Sequence, residues 1–234
     1  MMPARPAALL LHGAGTDPAS ALRLLGDAVP RGHQALALRH DGDAAQAVAV
    51  IARTATDDAL ALRTAGGVSV GAHAVAAWAA RATPDLADPP DLVLAMPAWT
   101  GSPDAVAALT RASADEIEAR GVDAVLDRLL AEAGGDWVVD ELQRSWRARG
   151  ASDLARALRA AADSAAPAQE DLARIRARTV VVALADDPLH PLEVAERWAE
   201  AIPGARLAVV ARDAPAQARG ALGAAARRVL DAWP

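Results

Sequence analysis

Gly67-Val68-Ser69-Val70-Gly71 follows a run of small and apolar residues that can end a strand and precedes an alanine-rich helical pattern. The spacing G-x-S-x-G predicts a strand that turns abruptly into a helix, with the serine at the apex. A turn this sharp forces the serine into a strained backbone conformation, and glycines two residues to either side are expected to accommodate it. Ser69 then stands at a helix N-terminus, where free N–H groups and the helix dipole favour the anionic oxygen of an acyl-transfer reaction. The turn thus points to a parallel α/β fold carrying a serine nucleophile.

Working outward, short continuous apolar runs at Ala7 to Leu11, Gln34 to Leu38, Thr64 to Val68, Leu92 to Met96, Val180 to Leu184 and Arg206 to Val210 read as strands buried on both faces. Helical patterns alternate with them at Pro18 to Ala28, Ala44 to Leu62, Gly71 to Ala82, Leu192 to Ala201 and Ala216 to Ala232. Such alternation predicts a mainly parallel, six-stranded, doubly wound sheet. Ligands bind outside the carboxyl ends of the strands in sheets of this kind, and His12, Ser69, Trp99 and Asp187 all follow strand ends.

The rhythm breaks between Thr100 and Ile175, where four helical patterns (Pro103 to Arg111, Val122 to Ala133, Trp137 to Arg149 and Ser152 to Ala162) succeed one another without a strand. Gly134-Gly135 and Gly150 read as helix ends, and Pro167 precedes the return to the sheet. The expected organisation is a core of 1–99 and 176–234 with an all-helical cap, 100–175, inserted after the fourth strand. Such a cap is bulk alone or also excludes water from the strand ends.

Composition narrows the partners. The 234 residues are 53% hydrophobic and 23% charged, which is globular and not disordered. The formal net charge of −6, with arginines dispersed, argues against nucleic acid or an anionic membrane as partner. There is no cysteine, so disulfides and thiolate metal sites are excluded. No apolar run approaches the roughly 20 residues that span a bilayer, and Met1 to Arg5 lacks the start of a signal peptide, so the cytoplasm is the expected compartment. The five histidines show no ligand spacing and no glycine loop suits a phosphate, so no metal and no organic cofactor is expected.

The G-x-S-x-G turn, the His12-Gly13 pair closing the first strand, and the Asp187-Pro188-Leu189-His190-Pro191 loop after the penultimate strand together resemble the α/β-hydrolase superfamily in order and spacing along nearly the whole chain. The resemblance implies the α/β-hydrolase fold, trimmed to start at what would be the family's third strand. It implies Ser69 as nucleophile, the backbone N–H groups of Val70 and Ala14 as oxyanion hole, and Asp187 as the triad acid. Asp186 is a weaker claimant, and Asp187 also reads as a turn residue before Pro188. His12, Gly13 and Gly15 of the first loop, with Trp99, Trp137 and Trp146, are the expected pocket lining, while Trp78, Trp198 and Trp233 suit core filling.

One departure matters. In the family the triad histidine follows the last strand, but here that strand runs into Ala211-Arg212-Asp213-Ala214-Pro215, and no histidine follows His190. A serine without a base is a poor nucleophile. His12 reads as support for the first loop, His33 as a surface residue, His40 as part of a solvated loop and His73 as a satisfied core imidazole. His190, three residues beyond Asp187, either replaces the lost base or lines the pocket as a polar substrate contact. The expected activity is hydrolysis of an ester, thioester or lactone of a small apolar metabolite. The alternatives are a cyclase, isomerase or lyase of natural-product metabolism and a catalytically degenerate ligand-binding protein.

Overall fold

The computed structural model describes residues 4–133 and 136–234; the expected helix end at Gly134-Gly135 lies outside them. Strands β1 (Arg5–Leu11), β2 (Gln34–Leu38), β3 (Leu60–Val68), β4 (Asp91–Ala95), β5 (Thr179–Leu184) and β6 (Arg206–Val210) form one sheet in the order β2-β1-β3-β4-β5-β6. Every neighbouring pair is parallel. The expected six-stranded parallel sheet is therefore observed.

Alternation along the strands builds two cores. Leu9, Leu11, Leu92, Leu94, Val181 and Ala183 face one side, packing against α2 (Ala44–Ala55), α3 (Val70–Ala82) and α9 (Leu192–Ala201). Leu10, Val93, Val180, Val182 and Leu184 face the other, against α1 (Pro18–Leu25) and α11 (Ala221–Asp231). All of these strand residues are at most 1% exposed, as a sheet covered on both faces requires, whereas the edge strands β2 and β6, expected to be buried in the same way, are half-exposed.

Between β4 and β5 lie α4 (Ala105–Arg120), α5 (Val122–Ala133), α6 (Trp137–Arg149), α7 (Ala151–Asp163) and the single turn α8 (Gln169–Leu172), with no strand among the described residues. The insertion has its own core, in which Ile117, Leu126, Trp146, Leu154 and Leu158 meet. Aspartates start two of its helices and two of those on the sheet: Asp104 accepts from Val106 N, Asp136 from Val138 N, Asp17 from Ser20 N and Asp43 from Ala45 and Gln46 N.

Three helical expectations need correction, the first in the insertion, where the pattern read as ending at Arg111 continues to Arg120 in α4. The pattern read as one helix to Leu62 stops at Ala55, because Asp57 turns the chain by accepting from Ala59 N at 2.9 Å and β3 then begins at Leu60. The C-terminal helix is split into α10 (Ala214–Gln217) and α11, with Gly220 at the junction so close to Asp27 that a β-carbon there would lie 2.3 Å from its carboxylate. No helix among the described residues is long and apolar enough to cross a membrane.

The chain moves from β1 outward to β2, then crosses back to β3 on the other side of β1. The gap between the carboxyl ends of β1 and β3 is thus a topological switch point, where parallel sheets leave a crevice. The Gly13 loop and Ser69 emerge there.

Candidate active site

Ser69 has φ 55° and ψ −121°, a conformation that costs a non-glycine residue of order 1–3 kcal/mol. The surroundings impose it: Ser69 N donates to Ala95 O at 2.9 Å while Ser69 O already accepts from His73 N in the first turn of α3. The flanking glycines serve a different purpose from the one expected of them, since neither has positive φ. A β-carbon on Gly67 would lie 2.3 Å from the backbone of Gly71, and one on Gly71 would lie 2.6 Å from His12 O. The glycines allow strand, helix and first loop to touch through bare backbone.

Ser69 lines a largely apolar cavity of about 280 Å³ between the strand ends and the insertion. Gly13, Ala14, Gly15, Val70, Trp99, Trp137, Trp146, Asp187 and His190 share that lining. His12 does not: it is 1% exposed and lies beneath the Gly13 loop, so it is no pocket residue. A larger, solvent-open groove of about 960 Å³ runs along the opposite, N-terminal ends of the strands, where His33 sits far from Ser69.

The Gly13 loop is held from below and above. Gly13 O faces His12 Nδ1 at 2.7 Å and accepts from Thr16 N at 3.1 Å and Thr16 Oγ1 at 3.2 Å. Because a trans peptide directs C=O and N–H oppositely, these bonds turn the Ala14 N–H away from them, and no hydrogen bond among the described residues occupies it. From the insertion, Trp146 Nε1 donates to Gly15 O at 2.8 Å and Arg149 Nη1 to Ala14 O at 3.2 Å. Val70 opens α3, so its N–H lacks an intrahelical acceptor. Two backbone donors therefore stand beside Ser69.

Asp187 is 8% exposed and lies in the loop between β5 and α9. Its Oδ1 accepts from Leu189 N at 3.0 Å, its Oδ2 lies 3.0 Å from His190 Nδ1, and Arg212 Nη1 stands 3.5 Å from Oδ1. Burial alone would raise its pKa, but the bond to His190, the Leu189 N–H and the Arg212 charge outweigh it and hold the carboxyl at about 2. With a carboxylate at Nδ1, the imidazole carries its proton there and presents Nε2 as an acceptor. Among the described residues no hydrogen bond joins Ser69 Oγ to that ring. The neighbouring Asp186 is exposed, at φ 57°.

His12, His40 and His73 are buried structure. His40 stacks on His12 with ring centroids 4.2 Å apart, donates from Nε2 to His12 O at 2.8 Å and accepts at Nδ1 from Gly42 N at 3.2 Å. It is 3% exposed, so the expected solvated loop residue is instead a prop for the first loop. His73 is fully buried against Trp99 and Trp198 and accepts from Ala98 N at Nε2, but its Nδ1 has no partner, so it is only half satisfied. Burial lowers the pKa of His12 and of His73 to about 3, with His40 and His190 respectively adding to the effect, and lowers that of His40 as well.

A pH dependence follows. A histidine with a depressed native pKa contributes stability that is present above its unfolded value, 6.5, and lost as pH falls toward about 3. At pH 5 the loss is about 2 kcal/mol for each of His12 and His73. The melting temperature should drop steadily from pH 7 to pH 5; a level melting temperature over that range would show that these rings already charge in the folded state.

Two charged cavity residues escaped the sequence reading. Arg212 occupies the loop after β6, where the resemblance implies a histidine; its Nη2 donates to Asp136 Oδ2 at 2.6 Å, and its carbonyl accepts from Trp137 Nε1 at 2.8 Å. The signal was the residue itself, standing where the base was missing. Glu141, 2% exposed in the cavity wall, is clasped by Arg23 through bonds of 3.1, 3.1 and 2.7 Å. Nothing local in α6 marked it, since its partner is 118 positions away.

By sequence the chain matches no protein-family model and no curated protein. Solved structures do resemble it. The enol-lactonase from Burkholderia xenovorans LB400 superposes with TM-score 0.70 at 18% identity, over 97% of this chain and 90% of that one. An esterase from Exiguobacterium antarcticum gives 0.69 at 15% identity, over 94% and 89%. An alpha/beta hydrolase enzyme from a Medee basin deep-sea metagenome library gives 0.70 at 12% identity, over 100% and 92%. At these identities the likeness speaks of architecture, and it runs nearly the full length of each chain: this chain has the α/β-hydrolase fold.

Proposed function

We propose that the protein is a serine hydrolase acting on an ester, thioester or lactone of a small apolar metabolite, with the helical insertion as a cap that keeps water from the cavity. The observation that carries this reading is the strained Ser69 opening into an apolar cavity that Asp187 and His190 also line, 3.0 Å apart. Structural neighbours named as esterases and a lactonase support it.

In this reading Ser69 Oγ attacks the carbonyl carbon while His190 Nε2 takes its proton, and the developing oxyanion is received by the Ala14 and Val70 N–H groups. Donors of this kind can contribute about 2.7 to 4 kcal/mol each in a dry site. Collapse of the intermediate passes the proton from His190 to the leaving oxygen or sulfur. A water molecule, deprotonated by the same nitrogen, then releases the acid and restores Ser69. Asp187, anionic down to about pH 2, holds the ring and offsets the charge that the ring gains.

A fluorophosphonate should label the wild type and fail to label Ser69→Ala. A folded wild type that takes no label would overturn the proposal. Arg212 favours one second reading: a fixed cation beside Asp187 where a base would stand suits a reaction without an acyl-enzyme, such as a cyclisation, isomerisation or elimination. Turnover that survives Ser69→Ala would identify it.

A further inference from the structure

The cavity is closed on one side and open on another. Around α6 it is fastened to the core by Arg212 on Asp136, Trp137 on Arg212 O, Arg23 on Glu141, Trp146 on Gly15 O and Arg149 on Ala14 O. Opposite, among the described residues no hydrogen bond or ion pair joins α4 to the turn 188–190. Leu109 of α4 is 53% exposed and Leu189 of that turn 43%, yet both line the cavity. Only five large hydrophobic residues are exposed among those described, and two of them sit here. Pro188, also exposed, adds to the same rim.

We infer that Leu109 and Leu189 form the two jambs of the cavity's mouth, and that the substrate carries an apolar chain that runs out between them. The inference deepens the hydrolase reading by naming the substrate class: an acyl compound whose carbonyl reaches Ser69 and whose hydrocarbon portion exceeds the enclosed space. The volume argues for it, because about 280 Å³ lies just under the range of roughly 300 to 1,000 Å³ that holds whole ligands. A longer chain has to leave through the opening, and the exposed leucines are the surface it would cover there.

The test compares Leu109→Ser and Leu189→Ser with Leu86→Ser, an equally exposed leucine that does not line the cavity. With p-nitrophenyl acetate and octanoate, the ratio of the octanoate to the acetate kcat/KM should fall about tenfold in the two rim variants, whereas Leu86→Ser keeps the wild-type ratio. Equal chain-length dependence in all three variants would overturn the inference. Binding of the neutral apolar fluorophore 1-aminoanthracene is read in parallel, so that an inactive wild type condemns the hydrolase reading and leaves the mouth still decided. Weaker binding in both rim variants alone supports it; equal binding in all variants, or none by the wild type, overturns it. These are surface positions, and thermal melts verify that each variant is folded.

Discussion

Replacing His190 by alanine should lower kcat by about 10⁴-fold or more while the protein remains folded, the scale seen when a serine hydrolase loses its base. The expectation rests on placement. His190 is held through Nδ1 by a carboxylate that stays anionic to about pH 2, on the wall that Ser69 shares. Of the remaining imidazoles, His12 and His40 are committed to each other and the first loop and His73 to Ala98 N, while His33 lies in the groove at the opposite ends of the strands. A contact residue alone would behave differently, raising KM and leaving kcat nearly intact. The double variant Ser69→Ala/His190→Ala separates the cases further. Groups that act as one unit are not additive, so the double variant should be no slower than either single one. Full kcat in His190→Ala would remove it from the chemistry and turn attention to Arg212 and the second reading.

Much of the framework was legible because it is written in short-range signals. Apolar runs marked every strand, since the central strands are covered on both faces and need no polar residue there, and even the half-exposed edge strands β2 and β6 coincide with the runs that announced them. Overruns occurred where two periods fit one run. Ala59-Leu60-Ala61-Leu62 suits a helix or a strand by composition, and the Asp57 turn that decides between them depends on a single side-chain bond. The site was legible where backbone geometry makes it, at Ser69, Gly13 and Ala14, and along the Asp187 loop. It was illegible where distant residues meet. Asp136 and Arg212, 76 positions apart, become partners only once α6 lies over the end of β6. The placement of His12 depended on its stacking with His40, which no spacing between positions 12 and 40 announces.

Gly67→Ala should destabilise the protein by about 3 kcal/mol or more, the upper range of core overpacking. For a chain of 234 residues that corresponds to a fall of roughly 6 to 12 °C in melting temperature. The added carbon would lie 2.3 Å from Gly71 C and O and 2.6 Å from Ala72 N, all backbone atoms of the first turn of α3, which no rotamer change can move. Relief requires lifting α3 from β3, and α3 is otherwise fully engaged: Val70, Ala72, Ala74, Val75, Ala76 and Ala79 are all at most 2% exposed. It would also pull on the Ser69 N bond to Ala95 O that holds the strained serine. Gly71→Ala, with its β-carbon 2.6 Å from His12 O, should behave alike. Gly13→Ala is the control, because its β-carbon would meet Ser69 Cβ at 3.5 Å, an ordinary contact, and its melting temperature should stay near that of the wild type. Chemical denaturation of the three variants decides the matter. If Gly67→Ala melts with Gly13→Ala, the turn is wider than the contacts require, and the strain at Ser69 is not enforced by the packing of strand against helix.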